Sequence, residues 1–244
     1  MPFSMENEMI PVIKENIKML FDQDCSTMAF AQELPVNHRI VDLAFASMNK
    51  DYIKIIDDAA LKRAFRKLSM MQLDVLSIFY QSPEELSIQR LTKILRMKAE
   101  KVKQLYLQRF IELDLVSQVS RYSYKATDWI QIKPSYVIAV EAKLSKWQEA
   151  LNQAVDNLNF ADFSYVALDE EYCKRTVLDF FVQSNIGLIG VNGSGSITVL
   201  YEPKRNKKYV QSDFGLQRVR LCRDLVCQNS KWAMMDSELY YTEG

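Results

Sequence analysis

Histidine is almost missing from this 244-residue chain, and His38 stands alone. A single imidazole excludes sites that need two or three, such as HExxH zinc proteases and three-histidine zinc centres. A serine triad would have to run through His38, and no GxSxG stands near a usable serine. Cysteine is scarce too: Cys25, Cys173, Cys222 and Cys227 make neither a CxxC pair nor a dense disulfide framework, so reduced, mostly buried thiols are expected. No GxxxxGK[ST] phosphate loop occurs, and Gly193-Ser194-Gly195 lies between two apolar stretches as a hairpin turn does. Long apolar runs are absent as well. Tyr136 to Val140 and Val177 to Val182 fall far below the roughly 20 residues of a membrane-spanning helix, and the first residues do not read as a signal peptide. These absences lead us to expect a soluble, cytoplasmic protein with no membrane partner.

What is present is an ordinary globular composition with an uneven distribution of charge. Hydrophobic residues make up 48% of the chain, enough to bury a core. Lys and Arg equal Asp and Glu at 31 each. From Leu61 to Pro134, however, 14 basic residues face 7 acidic ones, net +7, which leaves 17 basic against 24 acidic residues, net −7, elsewhere. A basic module set in an acidic body suits a protein in which one part meets phosphate while the other gathers carboxylates.

The apolar pattern divides the chain in the same way. Met9, Ile13, Ile17 and Leu20 predict an amphipathic helix over residues 6–22, capped by Ser4 or Asn7. Thr27 to Leu34 and Arg39 to Ser47 read as strands of a hairpin around Pro35-Val36-Asn37-His38, with Tyr52 to Ile56 as a further run. Four helical segments follow at 59–68, 70–80, 87–96 and 98–114, then strand-like runs at Leu115 to Ser120 and Tyr122 to Gln131. Helices followed by a β-hairpin is the winged-helix order, and the Arg96 to Lys98 link has helix-turn-helix length. Beyond Pro134, Tyr136 to Val140 predicts a strand covered on both faces. It leads through Glu141-Ala142-Lys143 into a helix with Trp147, Ala150, Leu151, Ala154 and Leu158 on one side, then a strand at Phe163 to Leu168. A helix near 170–182, a hairpin at Ile186 to Tyr201 and a last helix at 213–229 complete the reading, and the end reads as unstructured.

The chemistry sits in two segments, Arg39-Ile40-Val41-Asp42 and Val140-Glu141-Ala142-Lys143. Carboxylates that hold Mg²⁺ or Mn²⁺, with a cation that orients water, are what metal-dependent phosphodiester hydrolysis needs. On a strand, Glu141 and Lys143 share one face, and all three side chains converge if the strand bearing Asp42 pairs alongside. An ExK triplet alone carries little weight, since Glu202-Pro203-Lys204 is another. Glu141, unlike Glu202, ends a buried-type strand and enters an amphipathic helix.

This arrangement resembles the PD-(D/E)xK superfamily over residues 1–57 and 135 to about 203, with an opening helix, an Asp on the second strand, an ExK on the third and a helix after it. The resemblance implies a restriction-endonuclease-like α/β fold with a central mixed sheet flanked by helices. It also implies Asp42 and Glu141 as metal ligands, Lys143 as the water-orienting cation, an acidic residue from the first helix, here Glu8, and a polar helix residue, here Gln153. The sequence departs from the usual pattern in lacking a Pro directly before Asp42 and in the hundred or so residues between Asp42 and Glu141. The inserted module accounts for that spacing. The expected division is a discontinuous nuclease-like domain at 1–57 and 134–215, a winged helix-turn-helix insertion at 58–133, and a C-terminal helix and tail at 216–244.

Within the insertion, 98–114 is the expected recognition helix. Lys98, Lys101, Lys103, Gln104 and Gln108 are its donors to phosphate and base edges, with Arg121 and Lys125 at the wing beside Tyr122. Val102, Leu105, Leu107, Phe110 and Ile111 are its expected core contacts. The expected partner is nucleic acid, duplex DNA foremost, with a homodimer open. One alternative is a plain solvated lysine face on a protein-docking module. Another is a non-catalytic DNA-binding regulator that keeps the nuclease fold as a scaffold or sensor. His38 is expected to be a surface turn residue.

Overall fold

The structure is a computed structural model that describes residues 2–20, 27–36, 39–48, 55, 58–82, 84–132, 134, 136–206, 211–227 and 233–236. His38 and all of the Tyr52 to Ile56 run except Ile55 lie outside the described residues. The chain is α/β and divides into two compact units, the first made of Met1–Met48, Pro134–Tyr209 and Ser230–Gly244, the second of Asn49–Lys133 and Val210–Asn229.

The first unit is built on a mixed sheet of seven strands: β1 (Thr27–Val36), β2 (Arg39–Met48), β6 (Val137–Lys143), β7 (Phe163–Asp169), β8 (Gly187–Asn192), β9 (Ser196–Tyr201) and β10 (Ala233–Asp236), in the order β10-β1-β2-β6-β7-β8-β9. The pairs β6/β7 and β7/β8 are parallel and the others antiparallel. Alternation along the strands sends residues to two apolar layers. On one face Leu43, Phe45, Val140, Ala142 and Tyr165 pack with Met9, Ile10 and Ile13 of helix α1 (Met9–Asn16). On the other, Val166, Leu168 and Leu188 pack with Ala150, Leu151 and Ala154 of the helix Trp147–Asn157 and with Phe181 of the helix Leu178–Ser184. Both faces are therefore covered by helices, which is why Val137 to Ala142 is buried at every position.

The second unit contains α2 (Ala59–Arg66), α3 (Met70–Gln81), α4 (Ile88–Leu95) and a helix α5 assembled from Ala99–Val102, Lys103–Leu107 and Gln108–Glu112, with a small antiparallel sheet of β3 (Leu86–Ser87), β5 (Ser123–Ala126) and β4 (Val116–Ser120) in that order. Asp58, Ser69 and Ser87 each accept backbone N–H groups at the starts of α2, α3 and α4, the sites where short polar side chains satisfy otherwise unpaired amides. Phe65 and Tyr80 pack against the ring of Trp129, whose Nε1 donates to the Leu115 carbonyl at 2.7 Å.

The remaining helices of the first unit are α6 (Trp147–Asn157), α7 (Glu170–Cys173) and α8 (Leu178–Ser184), and α9 (Gln211–Cys227) belongs to the second. Several local expectations differ from this. The opening helix expected over 6–22 is α-helical at Met9–Asn16 with 3-10 turns on either side, and β1 runs through Pro35 and Val36, residues expected in the turn. The helix expected over 170–182 is two helices, α7 and α8, and the run to Gln131 ends as a strand at Ala126 before a 3-10 turn at Asp128–Gln131. The 215/216 boundary falls inside α9, which packs on α2 and α3 with Val219, Leu221, Cys222, Leu225 and Val226 buried. Part of the end expected to be unstructured is strand β10 on β1. Local periodicity carries no sign of these long-range returns.

Candidate functional site

The β2/β6 ladder pairs Leu43 with Val140 and Ala44 with Ala139. One residue further along the same register, Asp42 stands across from Glu141, and residues directly opposite on antiparallel strands point to the same face. That face is the one opposite Leu43, Val140 and Ala142, hence the α6 face, and Lys143 shares it two residues beyond Glu141. The three side chains expected to converge do so. Asp42 Oδ2 accepts the Ala142 backbone N–H at 2.8 Å and lies 3.6 Å from Lys143 Nζ, and the two carboxyl groups are close enough to hydrogen-bond when one is protonated.

Glu141 is buried at 3% exposure. Burial pushes its carboxyl group upward, the amide of Asn157 pulls the other way by donating to Oε1 at 2.7 Å, and the Asp42 charge adds to the rise, bringing it to about 7. Burial draws the Lys143 ammonium down, but the charges of Asp42 and Glu6, the hydrogen bond to Glu6 and the charge of Glu141 outweigh it and leave the group raised. A buried cation held by that much negative charge stays protonated at neutral pH. Beside Asp42 in the β1/β2 ladder lies Glu33, a non-glycine residue at φ 57°, so β1 departs from extended geometry next to the site.

Two of the expected site residues stand apart from this cluster. Glu8 accepts from Ser4 N at 2.8 Å, Ser4 Oγ at 2.9 Å and Met5 N at 3.2 Å, and these donors, the Ser4 amide foremost, hold its carboxyl below the ordinary range. It caps the turn Glu6–Glu8 rather than reaching the sheet. The acidic residue that does reach is Glu6, whose Oε2 lies 3.3 Å from Lys143 Nζ. Gln153 sits half-buried on α6 with Oε1 shielded and unpartnered among the described residues, while Asn157, one turn later, holds Glu141. Sequence reasoning missed both Glu6 and Asn157. Asn157 left a trace, being a polar residue seven positions after Ala150 on the buried stripe of α6, whereas nothing in the sequence separates Glu6 from Glu8.

Asp42 and Glu141 are the residues that could hold a divalent cation. Two carboxylates side by side, one of them buried, are hard oxygen ligands whose mutual repulsion a Mg²⁺ or Mn²⁺ ion relieves. No group of three or more His, Cys, Asp or Glu side chains with ion-holding geometry occurs among the described residues, so most of the coordination shell would be water.

In the second unit, Lys98, Lys101, Lys103, Gln104, Gln108, Arg121 and Lys125 are all exposed. Lys98 stands at the start of α5, and Arg121 is at the β4/β5 turn with its guanidinium 5.3 Å from the Tyr122 ring centre. Of the expected core contacts, Val102, Leu107 and Phe110 are buried, but Leu105 is 49% and Ile111 40% exposed. For Leu105 the reason lies in the π-helical stretch Lys103–Leu107, whose wider turn brings Leu107 rather than Leu105 back over the face of Val102. Between α5 and the small sheet, Lys103, Leu107, Gln108, Ile111, Gln118 and Tyr124 line an open groove of about 360 Å³.

No helix among the described residues is long and apolar enough to cross a membrane. Comparison of the chain with family models, curated proteins and solved structures finds no match.

Proposed function

We propose that the chain is a divalent-metal-dependent nuclease with a restriction-endonuclease-like first unit and a winged-helix second unit that docks on nucleic acid, duplex DNA foremost. The observation that carries the reading is the meeting of Asp42, Glu141 and Lys143 on one face at the end of the β2/β6 ladder. Asp42 and Glu141 would hold Mg²⁺ or Mn²⁺, and the bound ion supplies charge neutralisation at the phosphate and a more acidic water. In hydrolysis a water oxygen forms a bond to phosphorus and the P–O bond to the departing sugar oxygen breaks. The water gives up a proton and the departing oxygen gains one, with no net electron transfer. Lys143 contributes an ammonium that stays protonated and directs the water or the phosphate oxygens. Asn157 fixes the Glu141 carboxylate through Oε1, so that the group meets its ligand without reorganising.

The exposed lysines and glutamines of α5, with Arg121 and Lys125 beyond it, support binding of phosphate by the second unit. The test is cleavage of plasmid and linear duplex DNA in Mg²⁺ or Mn²⁺ by the intact protein and by Asp42→Asn and Lys143→Ala. Loss of cleavage in both variants with retained DNA binding supports the assignment, and cleavage surviving in both removes it. One observation favours a second reading, a non-catalytic DNA-binding regulator: Lys143 already donates to Ala142 O and Glu6 and pairs with Asp42 within the protein. That reading wins if titration calorimetry detects no Mg²⁺ or Mn²⁺ site while duplex binding persists with a steep salt dependence.

A further inference from the structure

The Lys143 ammonium donates to two acceptors, the Ala142 carbonyl at 3.2 Å and Glu6 Oε2 at 3.3 Å, and forms an ion pair with Asp42 Oδ2 at 3.6 Å. Two of these three partners are anchored in the sheet. Ala142 O is main chain of β6, and Asp42 stands on β2 with the same Oδ2 held by the Ala142 amide at 2.8 Å. Glu6 is anchored differently. It belongs to a three-residue 3-10 turn, and its side chain is 42% exposed against 13% for Lys143. The turn is tied down at its own ends, by Phe3 N donating to Asp169 Oδ2 at 2.8 Å at the end of β7 and by the Glu8 cap on Ser4 and Met5. Glu6 can therefore swing away by rotation about its own side-chain bonds, with no sheet or cap hydrogen bond broken. It is also an anion facing solvent on the cation that a phosphodiester would need.

We propose that Glu6 is a positioning residue that occupies, on Lys143, the place a substrate phosphate takes, so that binding exchanges one anion for another on the same ammonium. The proposal rests on the nuclease reading of the site. In the resting protein Glu6 pairs with the Lys143 ammonium from the more exposed side of the site. When nucleic acid arrives the phosphate oxygen replaces Oε2, and the released carboxylate turns to water. The proposal distinguishes Glu6 from the site carboxylates: its removal eases substrate binding, while removal of Asp42 or Glu141 abolishes metal binding.

The test uses full-length protein, a 20-base-pair DNA duplex and two readouts, steady-state cleavage in Mg²⁺ and acylation of Lys143 by an N-hydroxysuccinimide acetate followed by peptide mass spectrometry. Glu6→Gln is expected to lower KM by roughly 2- to 5-fold, with a smaller change in kcat, matching the loss of a half-exposed competing ion pair. It should also speed Lys143 acylation, with duplex restoring protection. Glu6→Asp should restore the wild-type acylation rate in part, and Glu15→Gln on α1 serves as the charge-matched control. A fall in kcat at unchanged KM would make Glu6 part of the metal site and overturn the exchange. If duplex protects Lys143 but Glu6→Gln alters neither acylation nor KM, the nuclease reading stands and the exchange alone fails. If duplex neither binds nor protects Lys143 in any variant, both fall together.

Discussion

At the end of the sheet, two carboxylates and an ammonium stand within reach of one another with Glu141 almost out of water, whereas every lysine of α5 projects into solvent. The same kinds of charged group therefore act by different physics. In the first unit desolvation and close neighbours act on Glu141 and Lys143, so a single deletion leaves a buried charge without its counterpart. In the second, charges are screened and act in sum, each contributing a share of a field rather than a bond. The first unit thus holds few, mutually dependent charged groups, and the second a surface of many interchangeable ones.

The sharpest way to break this contrast is at Lys143. Under the proposed nuclease reading, Lys143→Ala reduces metal-dependent cleavage by about 10²- to 10³-fold, the usual cost of removing one fixed group that stabilises developing charge, while single substitutions on α5 change it far less. Core truncation comes next. Trp129→Ala removes a ring that meets Phe65 and Tyr80 and a buried donor to Leu115, so it should cost about 3–5 kcal/mol in denaturant melts monitored by signals of the second unit.

A third prediction concerns pH. Glu141 titrates at about 7 in the folded, metal-free protein, above its unfolded value, so the stabilisation belongs to the protonated form. It is fully present below the ordinary carboxylate range and is lost as pH rises through 7. Glu141→Gln, which keeps an uncharged group there, should therefore gain about 1–3 kcal/mol relative to wild type at pH 8.5 but little at pH 4, read from urea unfolding without metal. An unchanged difference across that range would contradict the burial of the charge.

The second unit offers the graded counterpart. Lys98, Lys101 and Lys103 changed together to Ala should lower the slope of log K against log salt by about 1 for each phosphate left without its lysine, with little effect on melting. Smallest of all, breaking the exposed Arg109–Glu112 pair, 3.5 Å apart on α5, should shift stability by less than about 0.5 kcal/mol.

How far these regions were legible in the sequence follows from the same contrast. The site was readable because a buried parallel-type strand ending in Glu141-Ala142-Lys143 fixes which side chains share a face, and a two-residue period brings Asp42 to them once the strands pair. Glu6 was not readable, because the geometry of a short 3-10 turn decides whether Glu6 or Glu8 caps and which one reaches out. Leu105 was misplaced because one π-helical stretch shifts the phase of a helix, and no residue in Lys103 to Leu107 signals that shift. The return of α9 to the second unit and of β10 to the sheet escaped because pairing between segments far apart in the chain leaves no local periodicity.

That double return has a practical consequence. The backbone passes from one unit to the other four times, not twice, since Val210–Asn229 and Ser230–Gly244 part company after the sheet has already been traversed. Cutting out residues 58–133 as a cassette would strand α9 without α2 and α3, its packing surfaces, and expressing that cassette alone would leave those helices bare. Anyone wishing to graft, swap or isolate the basic module must carry both pieces, joined by a linker that stands in for the intervening strands.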